Sequence, residues 1–413
     1  MATIIGGIGT SHVPTIGVAY DKGRSNDPAW APLFEGYKPV AAWLAEHKPD
    51  ALIVFYNDHA SQFFFDRYPT FALGIADEHP LADEGSGLRP LPSIKGWPEL
   101  SSHLLDVLVE DEFDITVIQD GALDHGCHSP LPLLWPHVPD WPGAIIPIAI
   151  NVLHFPLPTA NRCYRLGQSI RRAVQSFAGD ARIAVVGTGG LSHQVHGERT
   201  GFNNEGWDTE FLDLIRDDPE ALTRLRHADY IVRGGAESVE MIMWLAMRGA
   251  LGGAVHELHR AYYLATTTAM AVTLYEPTEF GDDADQPSGD GYEPGARERA
   301  GLDGLEGTYV FDSRVARASM PLNRFLWQLT DANKRVEIGT DWEAAMESAD
   351  LGATEREMIR ARDWIGLIHQ GANFFLLEKL ARVSGVPNLE MYAQMRGEEF
   401  EEFMQTRRVP DAR

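Results

Sequence analysis

The sequence predicts an α/β fold, a mostly parallel central sheet flanked by helices, followed by a small all-helical C-terminal domain. Three observations predict it. Short apolar, β-branched runs alternate with amphipathic stretches up to about residue 277, the pattern of parallel strands joined by crossover helices. Residues 278–306, containing G-D-D-A-D-Q-P-S-G-D-G-Y-E-P-G, are acidic, rich in Gly and Pro, and nearly free of aliphatics, which reads as a linker. From Tyr309 onward the spacing of apolar residues is helical. The expected organisation is an α/β domain over 1–277, a linker over 278–306 and a helical domain over 307–413.

Taken in order, Thr3–Ile8 reads as the first strand, and G-T-S-H-V-P (Gly9–Pro14) as a loop carrying His12. Pro14 keeps that loop out of a helix interior. Trp30–His47 reads as a helix with Val40, Trp43 and Leu44 at helical spacing. Asp50–Tyr56 is a second strand, followed by Asn57, Asp58 and His59. Tyr68–Lys95 is a Pro- and Gly-rich excursion. A helix near Glu99–Val109 leads to a strand at Phe113–Ile118, which ends in D-G-A-L-D-H-G-C-H with His125 and His128. Ala144–Val152 is another strand, and Pro158–Phe177 an amphipathic helix with arginines on its wet side. The apolar run Ala181–Val186 closes in G-T-G-G-L-S-H-Q-V-H, whose glycines let the backbone turn sharply and approach a neighbour closely. A small acidic helix at Asp208–Asp217, a strongly apolar helix at Glu237–Leu251 and a last strand at Thr268–Tyr275 complete the domain. In the tail, Thr354 and Glu357 read as a capping box for a helix over Glu355–His369, and Phe374–Val383 and Leu389–Met395 continue the helical pattern.

The chain has 413 residues, 44% hydrophobic and 23% charged, so it is an ordinary globular sequence. A formal net charge of −25 argues against nucleic acid and anionic membranes as partners. No apolar run approaches the roughly 18 residues of a membrane span, and the N-terminus M-A-T-I-I-G-G has no basic region typical of a signal peptide. Cys127 and Cys163 give no disulfide framework, which fits a reducing cytoplasm, and without Cys-x-x-Cys a thiolate zinc site is not expected.

Three apolar strands each hand a histidine to the next loop: His12, His59 and His193. Chemistry in open α/β sheets sits just beyond the carboxyl ends of such strands. One such histidine is explained by a satisfied loop carbonyl; three together point to a site. Glu240 sits among Val239, Met241, Ile242 and Met243. A carboxylate there either follows a narrow polar stripe to solvent or binds a cation. Asp58 is either a partner for a metal-bound imidazole or a solvated loop residue. Candidate ligands are therefore His12, His59 and Glu240, with His125 and His193 on the same rim. Two imidazoles and one carboxylate form the facial triad of non-haem Fe(II), which leaves positions open for substrate and O₂. Zinc competes for the same donors, although the H-E-x-x-H signature is missing. No G-x-S-x-G elbow, Walker A loop or dinucleotide fingerprint occurs in the right context.

The segments G-G-I-G-T-S-H-V-P, N-D-H, L-D-H-G, G-T-G-G-L-S-H-Q-V-H-G-E-R and E-S-V-E-M-I-M-W-L-A-M-R-G-A-L resemble the type II extradiol dioxygenases, the group that includes protocatechuate 4,5-dioxygenase and gallate dioxygenase. They span the α/β domain nearly end to end. The tail from about Tyr309 resembles the small subunit of the protocatechuate enzyme, fused here behind the catalytic domain as in the gallate-cleaving members. The resemblance implies Fe(II) on His12, His59 and Glu240, acid–base work by His193 and a substrate-side role for His125. It places a small hydroxyl residue near the substrate carboxylate at Thr267, and leaves Glu237, one turn before Glu240, as a competing carboxylate. It implies gallate and O₂ as substrates, with protocatechuate or 3-O-methylgallate as alternatives. A zinc hydrolase on the same scaffold, or a binding protein that lost the metal, are the readings from other classes. A homodimer is expected, with the tails helping to close the active sites. Trp364, Phe374, Phe375 and Tyr392 look exposed beyond the needs of a small core, and Glu378 and Tyr392 are expected to touch substrate hydroxyls.

Overall fold

The computed structural model describes residues 1–85, 87–264, 266–278 and 307–405. The chain divides into two compact units, Met1–Glu298 and Arg299–Arg413. The expected linker, apart from Thr278, lies outside the described residues.

Among its described residues the first unit holds ten strands: β1 (Thr3–Thr10), β2 (Ala51–Tyr56), β3 (Phe71–Gly74), β4 (Glu78–His79), β5 (Ile94–Lys95), β6 (Thr116–Ile118), β7 (Ala144–Ile150), β8 (Arg182–Thr188), β9 (Val255–Tyr263) and β10 (Met270–Pro277). Eight of them form one sheet in the order β6-β3-β7-β2-β8-β1-β10-β9, and β4 pairs with β5 in a small ribbon. The centre, β7-β2-β8-β1, is parallel throughout. The flanks bring in antiparallel pairs, β3 with β7, β1 with β10 and β10 with β9. The α/β expectation thus holds at the centre of the sheet, where the site strands β1, β2 and β8 lie side by side.

Four strands went unread in the sequence, among them β4 and β5, two residues each inside the Pro/Gly-rich excursion. β3 lies inside the Pro/Gly-rich excursion and is only four residues long. β9, V-H-E-L-H-R-A-Y-Y, is a half-buried edge strand whose polar residues hide the apolar signal.

The central strands are apolar on both faces because both faces are covered. Ala51, Ile53 and Phe55 of β2 pack with the helices Pro98–Glu110, Ala160–Ser176 and Met241–Leu251. Leu52, Val54 and Tyr56 pack on the other face with the helices Ala31–His47 and Leu131–Leu134. The helix Met241–Leu251 lies so close to β1 that a Cβ on Gly9 would meet the Trp244 ring at 2.3 Å. Trp244 is fully buried, and cutting it to Ala costs about 3–5 kcal/mol. This packing fixes the start of that helix beside the carboxyl end of β1. The expected single helix over Glu237–Leu251 is corrected: Ala236–Glu240 is a 3₁₀ turn and the α-helix begins at Met241.

The second unit is helical, with its own core built around Leu322, Phe325, Trp364, Leu367, Leu377 and Met391. The long helix over Glu355–His369 is two helices, Ala353–Ala361 and Trp364–His369, broken at Arg362 in the left-handed region (φ 57°). The expected cap is also shifted: Glu355, not Glu357, accepts a cap hydrogen bond, from the Gly352 N–H at 2.7 Å. Trp364 is a core residue at 2% exposure, with its indole N–H donating to Gln394, which corrects its reading as a surface aromatic. Phe374 and Phe375 are exposed as expected.

Candidate metal centre

The loops after β1, β2 and β8 and the start of the Met241–Leu251 helix bring His12, His59, His193 and Glu240 together. Gly189 adopts φ +131°, and a Cβ there would lie 3.0 Å from the Glu240 Cβ and carbonyl oxygen. The glycines of G-T-G-G therefore serve a close approach to Glu240. Gly190 adds a direct contact, its N–H donating to Glu240 Oε2 at 2.7 Å.

Glu240 is 7% exposed, so the solvent alternative is excluded. Its Oε2 lies 3.4 Å from His12 Nε2 and 3.9 Å from His193 Nε2, and its Oε1 lies 3.9 Å from His59 Nε2. Burial opposes its charge, but His12, His59 and His193 outweigh that and hold the carboxyl well below its usual range. Burial pushes the His12 imidazole below its ordinary value. For His59 burial acts the same way, but hydrogen bonds to Asp124 and Glu240 carry it up to about 10.

Each histidine is held by its other nitrogen. The Thr188 hydroxyl donates to the Gly126 carbonyl at 3.1 Å, so it accepts from His12 Nδ1–H at 2.9 Å. Asp124 Oδ2 accepts from His59 Nδ1–H at 3.0 Å and from the His59 backbone N–H at 2.6 Å. Asp58, left open as a partner for a metal-bound imidazole or a solvated loop residue, is 2% exposed and accepts from the Gln62 and Phe63 backbone N–H groups, so the solvated reading is corrected and the imidazole partner is Asp124. With Nδ1 so engaged, Nε2 is the nitrogen of each neutral ring left to bind a cation beside Glu240, as metal-bound imidazoles need; at His59 the Asn57 amide lies 3.0 Å from that nitrogen. Two imidazole nitrogens and one ionised carboxylate converging in this way fit a divalent ion. His12, His59 and His125 also place ligand atoms within 4.8 Å of one another. Glu240 is the candidate third donor because its two oxygens face His12 Nε2 and His59 Nε2.

His193 donates Nδ1–H to the Leu191 carbonyl at 2.7 Å, which leaves Nε2 able to accept a proton beside Glu240. Its loop is fastened by Asp208, which accepts from the Ser192 N–H at 2.7 Å and hydroxyl at 2.6 Å. His125 stacks on His59 with ring centroids 3.9 Å apart. His59 and His125 are partly exposed while His12, His193 and Glu240 are buried, so the cluster opens on the His59–His125 side.

Thr267 is exposed, and its carbonyl accepts from Asn203. Its neighbour Thr268 is buried, bridges to His193, and sets its methyl beside the His193 ring against Gly190. The hydroxyl residue that borders the site is thus Thr268. Glu237 accepts from the Val195 N–H and pairs with His196, away from the cluster. In the helical unit, Tyr392 donates to Glu378, which also accepts from Asn388 at 2.8 Å. Sequence reasoning missed Thr188, Asp124 and Glu84; Thr188, the threonine of G-T-G-G, and Asp124, which precedes His125 in L-D-H-G, stood in segments already singled out, and Glu84 did not.

Residues 6–275 match the family model described as the catalytic LigB subunit of aromatic ring-opening dioxygenase, and residues 322–408 match that of the LigA subunit of aromatic-ring-opening dioxygenase LigAB. The chain is 44% identical over 328 residues to a gallate dioxygenase of Pseudomonas putida, covering 79% of this chain and 96% of that protein. It is 30% identical over 185 residues to a 2,3-dihydroxyphenylpropionate/2,3-dihydroxicinnamic acid 1,2-dioxygenase of Photorhabdus laumondii, covering 45% and 54% of the two chains.

Proposed function

The chain belongs to the family of the catalytic LigB subunit of aromatic ring-opening dioxygenases, and from that premise we propose that it cleaves the ring of gallate with O₂ at an Fe(II) centre. The observation that carries this reading is the convergence of His12 Nε2 and His59 Nε2 on the two oxygens of Glu240. An iron(II) ion held by these three residues would carry one net positive charge, lower the pKa of a bound catechol hydroxyl and give O₂ access to the ring.

The chain's own residues supply the rest. His193 Nε2 is placed to accept a proton from a substrate hydroxyl and return it as the ring opens. Its Nδ1–H bond to Leu191 keeps that tautomer. Burial of His12, His193 and Glu240 excludes bulk water from the inner side of the site. His125 borders the open side and is assigned to a substrate hydroxyl, and Thr268, rather than Thr267, to the substrate carboxylate. Both atoms of O₂ enter the product, with cleavage beside the diol. Glu378 and Tyr392 remain assigned to substrate hydroxyls, and within the helical unit they bond to each other. A homodimer belongs to the same proposal. Among the described residues no helix is long and apolar enough to cross a membrane.

Protein purified without air should contain iron and consume O₂ with gallate faster than with protocatechuate or 3-O-methylgallate. Zinc in place of iron, with no O₂ uptake on any of the three, would replace this reading with a hydrolase. Faster uptake with one of the other two acids would move the substrate within the same class.

A further inference from the structure

We infer that Glu84 is a positioning residue for His125 that decides which nitrogen of its ring faces the substrate, an assignment that rests on the function proposed above. Glu84 lies outside every motif singled out in the sequence, yet it meets His125 twice. Its Oε2 accepts the His125 backbone N–H at 2.9 Å and its Oε1 accepts Nδ1–H at 2.5 Å.

The loop that carries Glu84 is built to hold it there. Asp83 Oδ1 accepts from the Gly85 and Gly87 N–H groups at 2.9 and 3.0 Å, closing a tight turn in which both glycines adopt φ +86°. The preceding residues are stitched to the His125 loop, Ala82 N–H to the Leu123 carbonyl and Leu123 N–H to the Pro80 carbonyl, at 2.8 and 2.9 Å. The two loops are therefore hydrogen-bonded to each other directly beside Glu84 and His125.

The tautomer follows from donor chemistry. A carboxylate only accepts, so His125 Nδ1 carries a hydrogen, and Nε2 of the neutral ring is an acceptor. Stacking on His59 fixes the ring plane as well. A second histidine backs Glu84. Arg89 Nη1 lies 3.1 Å from His128 Nδ1, and a guanidinium only donates, so His128 Nε2 carries its hydrogen. That nitrogen lies 4.0 Å from Glu84 Oε2 and has no hydrogen-bond partner among the described residues. Arg89 is in turn anchored by both oxygens of Asp21, at 2.7 and 2.9 Å. Asp21, Arg89 and His128 thus form a hydrogen-bonded line that stops 4.0 Å short of Glu84, and Glu84 by its own bonds fixes the polarity of the His125 ring. What it presents to the site is an acceptor nitrogen, matched to the proton of a phenolic hydroxyl. Orientation of this kind by an outer carboxylate is how a histidine is committed to one tautomer.

The test uses the full chain, purified without air and loaded with iron, as wild type, Glu84→Ala, Glu84→Gln, His125→Ala and the Glu84→Ala/His125→Ala double variant. Iron content, anaerobic gallate Kd, and kcat and KM across pH are measured. Glu84→Ala should keep its iron, raise Kd and KM about tenfold, as loss of one well-placed hydrogen bond does, and shift the pH profile, with a smaller effect on kcat. Glu84→Gln, whose amide can accept only one of the two N–H groups, should fall between. In the His125→Ala background, Glu84→Ala should add nothing, since its effect runs through that ring. A Glu84→Ala variant with wild-type Kd, KM and pH profile overturns the assignment, as does an effect that persists without His125, or loss of iron. Wild type that neither binds nor turns over gallate would overturn the functional reading and this inference with it; a normal wild type beside an indifferent Glu84→Ala overturns only the inference.

Discussion

His59 and Asp124 are joined twice through a single carboxylate oxygen, by the backbone N–H at 2.6 Å and by Nδ1–H at 3.0 Å. The other oxygen of Asp124 accepts from the Gly126 N–H at 3.0 Å and caps the short helix His125–His128. One buried side chain thus aims a candidate ligand and starts the segment that carries His125. The carboxyl is held below its usual range: burial opposes the charge, and the bonds to His59 outweigh it. Asp124→Asn keeps a capping oxygen but weakens the grip on His59. Metal affinity should fall about 10–100-fold, the usual effect of removing a ligand's outer partner. Competition with a chelator measures it, and wild-type affinity would strip Asp124 of the role.

The proposed choice of Glu240 over Glu237, two carboxylates one turn apart, rests on direction. Glu240 faces three histidines, whereas Glu237 holds the backbone at Val195 and pairs with the exposed His196. Glu240→Ala should lose metal and activity together. Glu237→Ala should retain metal, with changes confined to the loop after His193. Metal analysis of the two purified variants separates the cases; retention by Glu240→Ala with loss by Glu237→Ala would reverse the assignment.

His193→Ala removes a proton acceptor without touching a proposed ligand. Its metal content should stay at the wild-type level while turnover falls by roughly 10²–10⁴-fold, the range for a general acid–base group. Near-normal turnover with an unchanged pH profile would take His193 out of the mechanism.

What could be read from the sequence follows from how local each signal is. β2 is covered on both faces, so it is apolar at every position and easily recognised. β9 sits at the sheet edge with one half-covered face, and its His, Glu and Arg residues mask the strand. His12, His59, His193 and Glu240 were legible because each stands where polar residues are costly or at a strand end. Their partners were not. Thr188 is an ordinary β-branched residue at the end of a strand, and Asp124 is 65 residues from the histidine it holds. Asp58, the adjacent acid, was the one weighed as a partner, because sequence distance is a poor guide to spatial distance. Thr267 and Thr268 differ only in which side of one short turn they face, a distinction composition does not carry.

The two units bury separate cores, one around Trp244 and Val185 and the other around Leu367 and Leu377. A chain ending at residue 306 should therefore fold and load metal. If the helical unit serves the active site or the dimer, as proposed, this fragment should show a raised KM for gallate and a smaller assembly in solution. Kinetics and sedimentation of the fragment decide it: unchanged KM and unchanged assembly would mean that the tail is neither lid nor dimer element.

His79 gives a pH dependence independent of the metal site. It is 1% exposed, and neither ring nitrogen has a hydrogen-bond partner among the described residues. Burial pushes its pKa from 6.5 down to about 4. The folded protein therefore favours the neutral ring, while the unfolded chain takes up a proton near its ordinary value. The unfolded state binds more protons between these two values, so the stability due to His79 is fully present above about pH 6.5 and is lost as pH falls toward 4. At about 1.4 kcal/mol per unit, the share of this one residue is roughly 3 kcal/mol. His79→Leu cannot be protonated, so denaturant midpoints measured from pH 7 to 4 should fall less steeply in the variant than in wild type. Parallel curves would show that His79 finds a partner for its proton in the folded protein and that its burial is not what makes the fold acid-sensitive.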